Sequence, residues 1–126
     1  MTDAEAGRIE EEFSIRIPSA WRSYITDCGW CERFAASGLL TDYDDMRREN
    51  RLYRDSQFVR NYWRPEWLAI HSDGCGNVYF LDTLNPVGIF ELDHEKTFPG
   101  YNPLEREIFP SIHAFLAHVE EHELHH

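Results

Sequence analysis

Two strand-like apolar runs separated by a short turn-forming segment place the strongest limit on how this chain can fold. The runs are Trp67–Ile70 and Asn77–Asp82, and the second is rich in aromatic and aliphatic residues with apolar side chains on both faces. The segment between them supplies two glycines that can adopt positive φ and two common turn formers. The pattern predicts an antiparallel hairpin with a central second strand and a turn built on Asp73, Gly74, Gly76 and Asn77.

Helical patterns lie on both sides of this hairpin. Apolar spacing predicts a first helix over Asp3–Phe13, with Glu10–Glu12 facing water, and a second helix from Pro18 to Cys28 that stops at Gly29. A third helix is predicted over Thr41–Tyr53, capped by Thr41. The last predicted helix is capped by Ser111 and places four apolar residues on one face, namely Ile112, Phe115, Leu116 and Val119.

The remaining strand signals complete the fold class. A turn at Leu84–Pro86 precedes a third strand over Val87–Leu92, whereas Arg33–Ala35 could form a short strand before a turn at Ser37–Gly38. Helices, then an antiparallel meander, then a closing helix indicate an α+β fold. We therefore expect one domain over residues 1–126, with a mostly antiparallel sheet flanked by N-terminal helices and a C-terminal helix.

Composition and charge narrow the functional classes. The chain has 12 basic and 23 acidic residues, a net charge of −11, which disfavours direct binding to nucleic acid and favours a basic partner. No apolar run approaches the roughly 20 residues of a membrane span, and the acidic first residues lack the order of a signal peptide. Three cysteines do not make a disulfide framework. We expect a cytoplasmic protein.

The cysteine between the two turn glycines is the first candidate for chemistry. A catalytic cysteine needs a helix N-terminus or a paired histidine to lower its pKa. A strand follows Cys75 directly, and its pairing with His71 or His94 cannot be read from sequence. The hairpin turn is the preferred interpretation.

Two further motifs have the spacing of redox or metal sites. Cys28-Gly-Trp-Cys31 matches C-x-x-C, but the predicted helix ends there, where the dipole disfavours thiolate, so Cys28 is interpreted as a buried core residue. His122–His126 fits H-E-x-x-H, but no third ligand follows it. Adventitious metal binding is plausible there. No catalytic, cofactor or metal site is predicted, and a thiol- or metal-dependent enzyme stays as the least favoured hypothesis.

Four segments together resemble the SUKH superfamily. This superfamily contains bacterial immunity proteins and also the fungal Smi/Knr cell-wall-synthesis regulators. Ile17–Ile25 resembles the entry to the second helix of that family, Trp67–Asp82 its central hairpin, Val87–Glu95 its next strand and Ile108–Val119 its closing helix. The chain departs from the family at Cys28–Cys31, where members usually carry Asn-Gly-Gly, and residues 32–64 align poorly.

The resemblance implies a curved, mostly antiparallel sheet with helices around it and no enzymatic activity. For bacterial members it implies neutralisation of a cognate toxin, often a nuclease, by direct binding in the cytoplasm. The acidic balance fits that role, because a nuclease must be basic enough to hold nucleic acid. The alternative is a regulatory or scaffold protein of the fungal Smi/Knr type.

The interface is expected in the segment that aligns least, because partner-specific surfaces lie on variable polar elements. Asp42, Asp44 and Asp45 form an acidic cluster there, and tyrosines in the same region could anchor a partner, namely Tyr43, Tyr53 and Tyr62. The competing interpretation is that the aspartates only cap a helix and that the tyrosines pack in the core.

Overall fold

Helices precede the strands and a closing helix follows them, which is the segregated order of an α+β fold, and that fold class is confirmed. Among the residues that the structure describes, five α-helices, one 3-10 helix and a four-stranded antiparallel sheet share one contiguous core. No helix of the described chain is long and apolar enough to cross a membrane. The computed structural model describes residues 1–34, 37–56, 62–73, 77–93, 95 and 100–123.

Helix α1 (Asp3–Phe13) and helix α2 (Ser19–Ile25) run in opposite directions. The Met1 nitrogen donates to the Ile25 carbonyl at 2.8 Å, and the Ile17 nitrogen donates to the Glu10 carboxylate at 2.8 Å. Thr2 caps α1 through a reciprocal pair of hydrogen bonds with Glu5, which confirms the predicted start.

The segment after α2 differs from the prediction. Helix α2 ends at Ile25, and a separate helix α3 covers Cys28–Arg33 because the Asp27 side chain accepts from the Trp30 nitrogen at 3.1 Å and caps a new helix. The predicted strand at Arg33–Ala35 is therefore wrong for Arg33, which is helical, and for Phe34, which caps the helix; Ala35 lies outside the described residues. The Trp30 ring holds α3 on the core, since it is buried and lies 5.0 Å from the ring of Tyr24.

Helix α4 covers Tyr43–Asp55, close to its predicted span. Its cap is Asp42, whose carboxylate accepts from the Asp45 nitrogen at 3.2 Å, whereas the predicted cap Thr41 is buried. The predicted turn before it is confirmed, with Gly38 at φ 87°.

Of the three glutamates predicted to face water, Glu11 and Glu12 are exposed and Glu10 is half-buried. Glu10 pairs with Arg22 of α2, and Glu12 pairs with Arg47 at 2.9 Å and with Arg51, both on α4. These carboxylates therefore join α1 to the helices on either side of it.

The sheet is an antiparallel meander of strands β1 (Trp67–Ser72), β2 (Val78–Asp82), β3 (Ile89–Leu92) and β4 (Glu107–Phe109), in that spatial order. The central position of β2 is confirmed. Strand β4 was not predicted; it follows a 3-10 helix at Pro103–Glu105.

The outer edge of β1 is covered by the segment before α4. Leu40 donates its backbone N–H to the Ile70 carbonyl at 2.9 Å, and Ser72 donates to the Gly38 carbonyl at 3.0 Å. A bridge also pairs Leu39 with His71. This half of the edge thus has a short strand-like partner.

Helix α4 completes the cover with side chains. Asn50, which is fully buried, accepts from the Ala69 nitrogen at 2.8 Å and donates to the Ala69 carbonyl at 3.2 Å, so its amide imitates a neighbouring strand. Arg54 donates to the carbonyls of Pro65 and Trp67, both at 2.8 Å. Burial lowers the pKa of Arg54 to about 10, which still leaves the guanidinium charged at neutral pH.

Aromatic rings fill one side of the core. The Trp67 ring stacks on Phe80 with centroids 4.3 Å apart, and Trp63 lies 5.3 Å from the same ring. Tyr53 of α4 stacks on Trp63 at 5.2 Å, and Phe90 of β3 stacks on Phe80 at 5.8 Å. The hairpin and α4 are therefore joined by one continuous aromatic cluster.

Helix α5 (Ile112–Glu123) closes the fold as predicted. Ser111 caps it by accepting from the Ala114 nitrogen at 3.0 Å. The Phe115 ring lies 5.1 Å from Phe109 of β4, which attaches the helix to the sheet. All four predicted core positions are buried, namely Ile112, Phe115, Leu116 and Val119.

Candidate partner-binding surface

The start of α4 carries the predicted acidic cluster. Asp42 and Asp44 are exposed, whereas Asp45 is half-buried and forms an ion pair with Arg48 at 2.7 Å. Asp42 has a structural task as the helix cap, and Asp44 and Asp45 lie in the positively polarised first turn. Both interpretations of this cluster therefore describe its geometry, because carboxylates that cap a helix can also face a partner.

The three tyrosines of this region occupy different environments. Tyr53 is only 6% exposed, and burial, with Glu49 nearby, raises the pKa of its phenol. Its ring belongs to the aromatic core, so we no longer place it at the interface. Tyr43 is half-buried against the core, and the half-buried Tyr62 lies 5.6 Å from the ring of Tyr101. Tyr43 is the one that adjoins the acidic cluster.

A pocket of about 220 Å³ opens beside the cap of α4. It is lined by Met1, Cys31, Glu32, Thr41 and Asp42. Glu32, which is exposed, reaches this pocket from α3, so two carboxylates from two different helices share one concavity. The ammonium nitrogen of Met1, which donates to the Thr41 carbonyl at 3.3 Å, borders the same pocket.

Glu32 was not among the predicted site residues. It precedes Asp42 by ten residues in a segment without a clear periodic pattern, and only the turn between α2 and α3 brings it to the pocket. A sequence signal was available in Asp27, a residue type that caps helices and here begins α3.

The C-x-x-C motif lies differently from the prediction. Cys28 begins α3 instead of ending a helix, and it is exposed instead of buried. The thiol of Cys31 donates to the Ile25 carbonyl at 3.3 Å, and burial raises the pKa of this thiol. The dipole argument was therefore wrong for Cys28, but desolvation disfavours the thiolate of Cys31.

The hairpin turn is described at its two flanks. The Asp73 nitrogen donates to the Asn77 carbonyl at 3.2 Å, and the Asp73 carboxylate accepts from the Asn77 nitrogen at 3.1 Å. Gly74, Cys75 and Gly76 lie outside the described residues, so the role of the glycines stays a prediction. His71, which was considered as a partner of Cys75, has its Nε2 3.0 Å from the Ser37 carbonyl oxygen.

The remaining metal and cofactor hypotheses can be compared with the described chain. His122 is exposed in the last turn of α5; residues 124–126 of the H-E-x-x-H motif and His94 lie outside the described residues. Within the described ranges, no group of three or more His, Cys, Asp or Glu side chains is gathered for a metal ion.

A second concave surface lies at the opposite end of the α1–α2 pair. It is a groove of about 610 Å³, bounded by the segment Arg16–Ser19, by Glu10 and Arg22, and by Thr83 and Pro86 of the β2–β3 turn. Two aliphatic side chains of that turn are exposed, Leu84 at 80% and Val87 at 62%. The groove itself carries charges of both signs, from Glu10 and from Arg16 and Arg22.

The family comparison matches nearly the whole chain. The model of the SMI1 / KNR4 family (SUKH-1) matches residues 1–118. This range contains α1 to α4, β1 to β4 and the part of α5 up to His118. Comparison with curated proteins and with solved structures gives no match. Because the match covers far more than half of the sequence, the chain belongs to the SMI1 / KNR4 family (SUKH-1).

Proposed function

We propose that this chain is an immunity protein that binds and neutralises a cognate toxin by direct, non-catalytic contact in the cytoplasm. The SUKH-1 family match is consistent with an immunity-type protein. The toxin is proposed to be a nuclease domain with a basic surface.

The net charge of −11 supports a basic partner. A nuclease must present cationic side chains to hold a phosphate backbone. Opposite charge accelerates the encounter of two proteins and orients them before contact, and this effect weakens as salt increases. An acidic protein could therefore reach and cover the nucleic-acid-binding surface of such a toxin.

One observation carries the choice of interface: Glu32 and Asp42 line the same pocket of about 220 Å³. At about 30 Å³ for each water-sized group, this volume suits a long side chain such as arginine or lysine. Two acidic side chains that border one concavity attract a cationic side chain of a partner more strongly than one does. The proposed interface consists of Glu32, Asp42, Tyr43, Asp44 and Asp45.

The test uses the toxin domain encoded beside the gene for this chain. Co-expression should protect cells from the toxin, and the purified proteins should form a complex. The interface variant is Glu32→Lys with Asp44→Lys, and its matched control is Glu105→Lys with Glu121→Lys on exposed positions of other elements. Each double variant changes net charge by the same amount, two reversals of +2 that raise −11 to −7.

Association rates measured by stopped flow separate the outcomes. We expect the interface variant to associate roughly tenfold more slowly at low salt, with a smaller difference at high salt, and the control to stay close to wild type. Equal slowing in both variants would mean that overall charge matters and that the interface lies elsewhere. Failure to bind and to protect would contradict the immunity role and favour a regulatory interaction protein.

A further inference from the structure

Two histidines of α5 lie side by side on its exposed surface. His118 and His122 are four residues apart, a spacing that places side chains on the same helix face one turn apart. Their ring centroids are 4.1 Å apart, with the ring planes inclined by 45°, and both side chains are exposed. The pair is therefore accessible to an ion from solvent.

A neighbouring strand fixes one of the two rings. Phe109 of β4 packs against His118 with centroids 5.1 Å apart, and Phe109 also contacts Phe115 in the core. A ligand whose orientation is held by packing loses less conformational entropy when it binds an ion than a freely rotating one does. His118 is thus partly preorganised, and His122 lies within reach of the same ion.

The chemistry of the pair selects the ligand. Imidazole nitrogen is a preferred ligand for copper, nickel and zinc, whereas magnesium and calcium prefer oxygen. Two histidines at positions i and i+4 of a helix supply two ligands from one face, as they do in helical zinc motifs. Fixed zinc centres use three or four protein ligands, and the described chain gathers no such group, so water must complete the coordination shell here.

We propose that His118 and His122 form a two-ligand site for a divalent transition-metal cation, such as Cu²⁺, Ni²⁺ or Zn²⁺. The ion bridges two consecutive turns of α5 and leaves its other coordination positions open to solvent. Because it links residues on adjacent turns, it stabilises the folded helix by mass action. The site is independent of the proposed immunity function.

The test titrates the full chain with CuCl₂, NiCl₂ and ZnCl₂ at neutral pH by calorimetry. Loss of an outer-shell partner already weakens a metal site about 10–100-fold, so His118→Ala and His122→Ala should each weaken binding at least tenfold. His113→Ala is the matched control, because His113 is exposed on the same helix without the i, i+4 relation to His118. Cu²⁺ should bind more tightly than Ni²⁺ or Zn²⁺.

A second control separates this pair from the histidines that follow α5. The double variant His125→Ala with His126→Ala should retain the affinity of the wild type, and the metal-dependent rise in melting temperature should be lost only in the His118 and His122 variants. Loss of binding in the 125/126 variant with unchanged binding in His118→Ala would overturn the proposal. Absence of saturable binding by the folded wild-type chain would overturn it as well.

Discussion

The two ends of α4 contain similar polar residues in opposite circumstances. At its start, Asp42 and Asp44 are exposed, and Asp44 lies in the first turn, near enough to Arg47 for the two charges to attract each other. At its end, Asn50 and Arg54 are turned inward, and their polar atoms bind backbone groups of β1 and of the residues before it. The end is therefore committed to stability, while the start is available for binding.

The difference shows that polarity by itself does not indicate a binding site. A buried amide such as Asn50 contributes to folding because the backbone groups that it pairs would otherwise lie unpaired and dry. An exposed carboxylate such as Asp44 contributes little to folding and is available to attract a partner of opposite charge. Four predictions follow this contrast from the buried end of α4 to the exposed one.

Asn50→Ala should have the largest effect on stability. It removes both hydrogen bonds to Ala69 and leaves a buried N–H and a buried C=O unpaired, which should lower the free energy of unfolding by about 3 kcal/mol. Urea unfolding would measure it as a lower midpoint with an unchanged slope. Leu52→Ala, on the same helix but 52% exposed, should change stability by less than about 1 kcal/mol.

Arg54→Met should have the next largest effect, a loss of about 1–2 kcal/mol in the same urea experiment. Methionine keeps a similar stem over the Phe13 ring, which lies 4.4 Å from the guanidinium carbon, but it cannot donate to the carbonyls of Pro65 and Trp67. Removal of a partly buried charge offsets part of the loss. If the two donors of the planar guanidinium group are needed for the two carbonyls, the free energy of unfolding of Arg54→Lys should be no closer to wild type than that of Arg54→Met. A lysine variant as stable as wild type would refute this explanation.

Glu12→Gln tests the partly exposed ion pairs that Arg47 and Arg51 of α4 form with α1. Burial opposes the shift, but the two guanidinium groups outweigh it and lower the pKa of Glu12 below its ordinary 4.5. Because the pKa of this carboxyl group is lower in the folded chain than in the unfolded chain, the group stabilises the fold at pH values above its unfolded-state pKa. This contribution is lost as the pH falls through its folded-state pKa. We expect a loss of about 0.5–1 kcal/mol at pH 7.

The pH series supplies the check on this third prediction. The difference in unfolding free energy between Glu12→Gln and wild type should shrink as pH decreases below about 4.5, because the wild-type carboxylate then takes up a proton. A difference that stays constant from pH 7 to pH 3 would mean that the ion pairs contribute nothing and that glutamine disturbs packing instead.

Asp44→Asn should have the smallest effect on folding, less than about 0.5 kcal/mol, since it removes only the attraction of an exposed carboxylate to the helix dipole and to Arg47. The same variant should still slow association with a basic toxin at low salt if the proposed interface is right. Paired measurements of melting temperature and association rate test both statements. A loss above about 1 kcal/mol would place Asp44 with the structural residues and remove the contrast between the two ends.

Local sequence signals were sufficient for elements that are long or strongly capped. The four apolar positions of α5 repeat with helical period, Thr2 and Glu5 form a capping box, and the hairpin runs contain enough strand-forming residues to be recognised. Three short elements were missed. Strand β4 and the 3-10 helix at Pro103–Glu105 have three residues each, too few to show a period, and α3 depends on the capping bond that Asp27 accepts from the Trp30 nitrogen.

The candidate site was predictable only in part, for a different reason. The acidic start of α4 could be identified from residue types, although Asp42 and not Thr41 is the cap. Whether Tyr43 or Tyr53 faces outward depends on how the helix is rotated against Trp63, which is a long-range contact. The same holds for Glu32 and Asp42, which meet through tertiary packing.

The cover on the outer edge of β1 also bears on aggregation. A sheet grows by adding strands to an open edge, and of the two edges of this sheet one is already occupied by residues 38–40, Asn50 and Arg54. The other belongs to β4, which is three residues long, begins with Glu107 and is followed by Pro110, a residue that cannot donate to a ladder. Within the part of the chain that the structure describes, β4 is the one sheet edge along which a second copy could pair. Such a pair would join the β4 edges of the two copies, so neither copy would keep an open edge to which further strands could add as in a fibre.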